Sequence, residues 1–367
     1  MRIISLGGFI DYRIQLANAL SRKNTVMLVI FANTLPKENI ETIDKKVELL
    51  LLGRGKPMYH PTILLILKDF VKKVKEFRPD IIHLFGGGSM IVPFILPFIK
   101  RYPLVSTIFD PVPHLGQKNL CRIRFVLYLE RKVANQIITD GEKLKEMFMK
   151  VHKIPEEKIN VVPLGAYDVA PFKKHEREDL KEDGNLILFF GGICKYKGLD
   201  YLIKAEPLIT KEVPNAKIII AGRGDDFRKY EKMMVNKNNF IVYNRYITYK
   251  EGAELFQRCS VVVLPYIDAS QSGVIPLAYG FKKPVVVTDV GSLPEIVDEG
   301  VTGFIVPPKN PEAFAKAIIK LLKDEKLRKQ MGENAYRKLK EELSCDIVAE
   351  KTLEVYKNVI EDISKKQ

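Results

Sequence analysis

The residues best suited to chemistry lie in one stretch, 261–295, which reads VVVLPYIDASQSGVIPLAYGFKKPVVVTDVGSLPE. Its first four residues form an apolar run of the kind that fills a strand covered on both faces. A polar loop with Asp268, Ser270 and Gln271 follows, and Ser272-Gly273 then opens an apolar helical segment that ends near Phe281. A strand, a polar loop and a small residue at a helix start is how α/β proteins hold a phosphate. Free backbone N–H groups and the positive helix end face the anion, and the missing side chain lets it approach. The same pattern also makes an ordinary βαβ turn with no ligand. Lys197 opens a second helical segment, after Gly191-Gly192. A cation at a helix start opposes the dipole, which makes it either a phosphate partner or an exposed surface lysine. Glycines directly follow apolar runs at Gly7-Gly8, at residues 86–88, at Gly191-Gly192, at Gly222 and Gly224, and at Gly273. One such glycine only makes a tight turn, whereas five groups together point to a ligand crevice. Neither G-x-G-x-x-G with a well-placed acid nor a P-loop is present, which disfavours dinucleotide and P-loop chemistry.

These groups need elements to position them. Apolar runs at 2–6, 25–31, 47–52, 81–85, 104–108, 136–139 and 160–162 read as strands. Helical spacing appears at 11–22, at 61–77, at about 118–134 and from 142, and the run 90–99 (MIVPFILPFI) is expected to cover a sheet face. The composition changes after residue 170, where PFKKHEREDLKEDG has little to bury. The rhythm then restarts, with strands at 186–190, 217–221, 240–243, 261–264, 284–288 and 303–306. Helices are expected at 197–211, 250–258, 311–323, 325–341 and about 344–364. The fold class is α/β, with two Rossmann-like domains facing across a cleft. Residues 1–170 and 185–343 form the domains, 171–184 the linker, and 344–367 a C-terminal helix packing back on the first domain.

At 367 residues the chain exceeds one ordinary core, and 46% hydrophobic with 28% charged residues is a soluble globular composition. The run at 90–99 is half of the roughly 20 residues needed to span a bilayer and holds two prolines. MRIISLGG reads as a strand rather than a signal peptide. Cys121, Cys194, Cys259 and Cys345 are far apart, which indicates neither a zinc site nor a disulfide framework. A cytoplasmic location is expected. The net charge is +14, and residues 1–170 hold 26 basic and 16 acidic residues. That half faces either an anionic lipid surface or an acidic substrate, or its lysines serve only solubility. Nucleic acid is not expected, because aromatic residues do not interleave with the basic ones.

Residues 188–199 (LFFGGICKYKGL), 220–224 (IAGRG), 246–266, 270–274 (SQSGV) and 288–303 (TDVGSLPEIVDEGVTG) carry a resemblance. In order and spacing they look like family 4 of the nucleotide-sugar-dependent glycosyltransferases, which share the GT-B fold. The N-terminal half is similar more loosely, through LGG at the first strand end, TIFDPVPH at 107–114 and VVPLGAYD at 161–168. The resemblance implies a retaining enzyme that moves a sugar from a UDP- or GDP-sugar on the C-terminal domain to a hydroxyl acceptor on the N-terminal one. It implies no metal and no cofactor beyond the donor, and no D-x-D is present to chelate a metal. From the basic first half and the apolar segment 90–101, which ends in Lys100-Arg101, the acceptor is expected to be a glycan or a lipid-linked sugar, the latter at the inner face of an anionic membrane in peripheral contact.

Carried over by residue, the resemblance places Lys197, after Gly191, on the diphosphate. Ser272, Gly273 and Val274 offer it their N–H groups, and Gly7 and Gly8 close over it. Gly222 lets the nucleotide approach. Tyr246 and Tyr266 lie near base and sugar or else pack in the core, and Glu295 lies beside the donor or caps its helix. The chain departs from the family at several points. Gly192 stands where an arginine is usual, with Lys195 as its substitute, although an ammonium lacks the bidentate fork. The family's Glu-x7-Glu is gone, and Ser270 and Gln271 take the place of its first carboxylate. The usual N-domain histidine falls at Phe109, leaving Asp110 and His114 to position the acceptor hydroxyl. These departures keep a second reading open, a nucleotide-sugar-binding partner subunit that does not catalyse. An epimerase on the same scaffold lacks a carboxylate or histidine cluster.

Overall fold

The computed structural model describes residues 1–31, 40–53, 63–86, 92–112, 119–165, 169–224 and 226–366. They form two compact units, one of residues up to 165 together with 345–366, the other of residues 169–344. Among the described residues no helix is long and apolar enough to cross a membrane.

The first unit runs β1 (Arg2–Gly7), α1 (Ile10–Leu20), β2 (Thr25–Phe31), β3 (Val47–Leu52), α2 (Ile63–Phe77), β4 (Ile81–Phe85) and α3 (Val92–Ile99). It continues with β5 (Leu104–Thr107), α4 (Leu120–Val133), β6 (Gln136–Thr139), α5 (Glu142–His152) and β7 (Ile159–Val161). All seven strands are parallel, in the order β3-β2-β1-β4-β5-β6-β7. Successive strand residues point to opposite faces, so neighbours such as Ile3 and Ile4 feed different cores. Ile3, Val26, Leu28, Ile81 and Val105 pack with α1 and with Val348, Val355 and Tyr356 of the C-terminal helix. Ile4, Met27, Ile82 and Leu104 pack under α2, α3 and α4, through Phe70, Val74, Ile95, Ile99 and Val126. The described part of that run, Val92–Ile99, thus covers a sheet face as a short helix.

The second unit runs α6 (Val169–Lys173), β8 (Leu186–Phe190), α7 (Leu199–Glu212), β9 (Lys217–Ala221), α8 (Arg228–Glu231), β10 (Phe240–Tyr243) and α9 (Tyr249–Arg258). There follow β11 (Val261–Leu264), α10 (Val274–Gly280), β12 (Val285–Thr288), α11 (Leu293–Ile296), β13 (Gly303–Val306), α12 (Pro311–Lys323) and α13 (Glu325–Glu342). The chain ends in α14 (Cys345–Lys366), which belongs to the first unit. The second sheet is parallel too, in the order β10-β9-β8-β11-β12-β13.

Two expectations are corrected here. Residues 171–184, read as a linker, pack on the second unit. Phe172 is buried edge-on against Phe190 and Tyr249, at 6.0 and 5.0 Å between ring centroids. The Glu182 carboxylate accepts from Lys283 Nζ and Arg328 Nε, each at 2.8 Å. A composition poor in apolar residues concealed one aromatic anchor and one bridging acid. Helix α7 starts at Leu199, not at Lys197, because Gly198 stands before it with φ +61°.

Both sheets reverse their winding at one point, between β1 and β4 in the first unit and between β8 and β11 in the second. Ligands of such sheets bind outside the carboxyl ends of the strands at that reversal.

Candidate active site

In the second unit the loops at the reversal are fastened backbone to backbone. Gly191 follows β8 with φ +106°, and its N–H donates to Ala221 O at 2.9 Å. Gly222 follows β9 with φ +147°, and a Cβ there would stand 2.0 Å from Gly191 O. Only glycine adopts such φ values cheaply, and here even a methyl has no room. The strand-end glycines at 191 and 222 therefore hold two loops together.

Lys197 ends a single 3-10 turn, Lys195–Lys197. The next residue, Gly198, is pressed on the loop after β11, where a Cβ would lie 1.9 Å from Pro265 O. Ile267 N–H donates to Tyr196 O at 2.8 Å, which ties that turn to the same loop. The Lys197 ammonium is thereby aimed at the reversal point. Its Nζ lies 3.0 Å from the Cβ position of Gly191 and 5.1 Å from the ring centroid of Tyr266. An ammonium over a phenol face is attracted by the ring quadrupole. Tyr266 is 1% exposed. Its hydroxyl is 3.3 Å from Ser272 Oγ, and its carbonyl accepts from Thr288 Oγ1 at 2.6 Å. Val274, at the start of α10, brings Cγ2 to 3.8 Å from the Gly191 Cβ position.

The structure therefore brings Gly191, Lys197, Tyr266, Ser272, Gly273 and Val274 together, with Gly222 behind Gly191. Two of the three expected amides already have partners. Ser272 N–H donates to Gln271 Oε1 at 2.7 Å, and Val274 N–H reaches Ser272 Oγ at 3.4 Å. Both acceptors are neutral side-chain oxygens, and an anionic oxygen competes well against either. Among the described residues, the buried Gln271 Nε2 has no hydrogen-bond partner, and neither has Ser292 Oγ. Ser292 was not among the sequence candidates. Its N–H donates to Ser270 O at 2.9 Å, so the loop after β12 leans on the loop after β11. The TDVGS turn was visible in the sequence, but a serine in a turn carries no signal of burial. Lys195 and Glu295 are exposed, and Tyr246 is 59% exposed beyond β10.

In the first unit Gly7 ends β1 with φ +121°, and a Cβ there would lie 2.3 Å from Phe85 O. Gly8 N–H donates to the same carbonyl at 2.9 Å. Beneath them lies Arg13, from α1, 1% exposed. Its guanidinium donates to Gly7 O and Ser5 O at 2.7 Å each, to Ser5 Oγ at 3.2 Å, and to Val29 O. Burial pushes its pKa down to about 9, which leaves it charged at neutral pH. Sequence reading missed Arg13, since an arginine at helical spacing reads as a surface residue. Phe109, at the family's histidine position, packs edge-on against Phe9 and Tyr12 at 4.5 and 5.4 Å. Asp110 is half-buried at the carboxyl end of β5, and Pro111 O accepts from His152 Nε2 at 2.8 Å. His114 lies outside the described residues. His83 is fully buried between Tyr356 and Thr107, and burial pushes it down to about 3, so it is neutral and structural.

Residues 7–167 match the model described as Glycosyltransferase Family 4, and residues 172–338 match Glycosyl transferases group 1. An uncharacterized glycosyltransferase of Methanocaldococcus jannaschii is 28% identical, over 97% of this chain and 95% of its own. The D-inositol 3-phosphate glycosyltransferase of Corynebacterium glutamicum is 31% identical, over 70% of this chain and 67% of its own. Among solved structures, sucrose-phosphate synthase from Thermosynechococcus elongatus superposes with a TM-score of 0.74 at 19% identity, covering 99% of this chain and 100% of that one. The Anabaena protein HepE in complex with UDP-glucose superposes with a TM-score of 0.72 at 18% identity, covering 97% and 99%. With two parallel-sheet units, glycine-fastened loops at each winding reversal, and both halves matched in order, the chain belongs to glycosyltransferase family 4 and has the GT-B fold.

Proposed function

We propose that the enzyme moves a sugar from a UDP- or GDP-sugar to a hydroxyl acceptor with retention of configuration, and without a metal. The observation that carries this reading is the Lys197 ammonium, held over Tyr266 and against the bare Cα of Gly191. A nucleoside diphosphate leaving C1 gains charge on its outer phosphate. A fixed ammonium, with the Ser272, Gly273 and Val274 amides beside it, stabilises that charge without reorganising. The bond from C1 to the phosphate oxygen breaks, the acceptor oxygen bonds to C1 on the same face, and the acceptor proton passes to the departing phosphate. Asp110 and His114 position the acceptor hydroxyl, and Gly7 and Gly8, without side chains at the end of β1, leave room for a ligand there. The acceptor is a glycan or a lipid-linked sugar, met at the cytoplasmic face of a membrane in the second case.

Lys197→Ala tests the reading directly. Turnover is expected to fall by about 10²–10³-fold, as for loss of one donor to a developing anion. The melting temperature stays, because the ammonium's own contact is one ring face. Transfer at the original rate by this variant would sink the phosphate role. Chelating agents leave the rate unchanged if no metal takes part.

A further inference from the structure

The helices α2, α3 and α4 form one layer of the first unit, and that layer shows large apolar side chains on its outer side as well as its inner one. Inward, Phe70, Ile95 and Val126 fill the core under the sheet. Outward, where such a layer is normally polar, Leu64 and Leu65 of α2 are 72% and 62% exposed. Phe94 and Phe98 of α3 are 47% and 42% exposed, and Phe125 and Tyr128 of α4 are 54% and 50% exposed. The three helices are neighbours, with α3 packed against both α2 and α4. Phe94 and Phe98 are four residues apart and Phe125 and Tyr128 three apart, so each pair shares a helix face. Each helix links parallel strands and so begins at the carboxyl edge of the sheet. Leu64, Leu65 and Phe94 stand in the first turns, which places apolar side chains toward that edge.

Charge frames this surface. From Leu64 to Phe77, Val92 to Arg101 and Leu120 to Val133 there are nine exposed Lys or Arg residues against two exposed acids, Asp69 and Glu76. Glu76 is already paired with Lys73 at 3.1 Å. Arg122 and Arg124 flank Phe125, and Lys100 and Arg101 follow α3.

We propose that this face docks on an anionic lipid bilayer, with Phe94, Phe98 and Phe125 entering the headgroup region and the flanking cations on lipid phosphates. Aromatic and leucine side chains beside long cationic ones suit the boundary between headgroups and acyl chains. A second copy of the chain does not fit, since two such faces repel each other by charge. The docking stands on the surface of the first unit and does not depend on the proposed transfer.

The chain contains no tryptophan, so one introduced residue reports its own surroundings. Phe98→Trp and Phe125→Trp are mixed with vesicles of phosphatidylcholine, with or without phosphatidylglycerol. Val235→Trp in the second unit, at a residue 74% exposed, is the control. With anionic vesicles the emission of the first two shifts to the blue and is quenched by brominated lipid, while the control keeps its spectrum. High salt reverses both changes. Co-sedimentation falls at least about tenfold for Phe94→Ser with Phe98→Ser and Phe125→Ser, the loss expected when apolar anchoring is removed. Absence of sedimentation at low salt overturns the proposal. So does binding in which the tryptophans at 98 and 125 stay unquenched, which means another face adsorbs. Capture of an acidic protein by a chain that ignores vesicles overturns it as well.

Discussion

Gly192 is the position where one side chain changes what the site can hold. Among the described residues a Cβ there meets only Arg223 O, at 3.7 Å, an ordinary contact. The resemblance places an arginine at this point, and the backbone accepts it. Gly192→Arg is expected to tighten nucleoside diphosphate binding by about tenfold, as one charge-assisted hydrogen-bond pair does. Titration calorimetry with UDP and GDP checks it, and unchanged affinity means that the guanidinium does not reach the phosphates. Its neighbour behaves oppositely. Gly191→Ala strains φ +106° and puts a methyl 3.0 Å from Lys197 Nζ. Turnover should fall about tenfold or more through that misplacement, and Gly191→Ala at full rate would contradict it. The sequence showed both glycines but not which of them was sterically required. That difference depends on Gly222 and Lys197, which reach them only through the fold.

At the scale of elements, helix α4 carries a carboxyl group inward. Glu130 is fully buried, neither oxygen has a hydrogen-bond partner among the described residues, and a Cβ on Gly86 would lie 2.8 Å from its Oε2. Burial pushes its pKa up to about 8, from an ordinary value of 4.5. The folded chain therefore holds a proton that the unfolded chain releases at lower pH. This group's contribution is intact below about pH 4.5 and declines as the pH rises toward 8. Denaturant unfolding at several pH values should show that decline, and Glu130→Gln should remove it; an unchanged slope in the variant assigns the decline elsewhere. The strands were the most legible elements. Residues 25–31, 81–85, 186–190 and 261–264 match their expected bounds because strands covered on both faces are continuous apolar runs. The start of α7 was less legible, since Gly198 ends one turn and precedes the next, which no periodicity reveals.

At the scale of the molecule, the last helix completes the first unit. Val348, Ala349, Val355, Tyr356 and Val359 of α14 belong to the core on the α1 side of its sheet. Burying five such side chains contributes on the order of 10 kcal/mol, comparable with a whole domain's stability of roughly 5–15 kcal/mol. Removal of residues 345–367 is expected to unfold the first unit, with loss of its cooperative transition in circular dichroism; an intact transition would show that the helix is dispensable. Donor identity also belongs to this scale. A nucleotide sugar at about 100 times its dissociation constant adds about 2.7 kcal/mol of stability, so a thermal-shift panel ranks the candidates. The sequence by itself determined the α/β class, the tandem units, the strand positions and the loop 268–274, because these follow from local apolar pattern and turn chemistry. Only the tertiary structure decided that Lys197 meets Tyr266 and Gly191, that Arg13 braces Gly7, and that Gln271 and Ser292 are buried beside the loop. Those facts depend on strand order and on contacts between residues far apart in the chain, such as Lys197 and Tyr266, 69 positions from one another, and local pattern carries no record of such contacts.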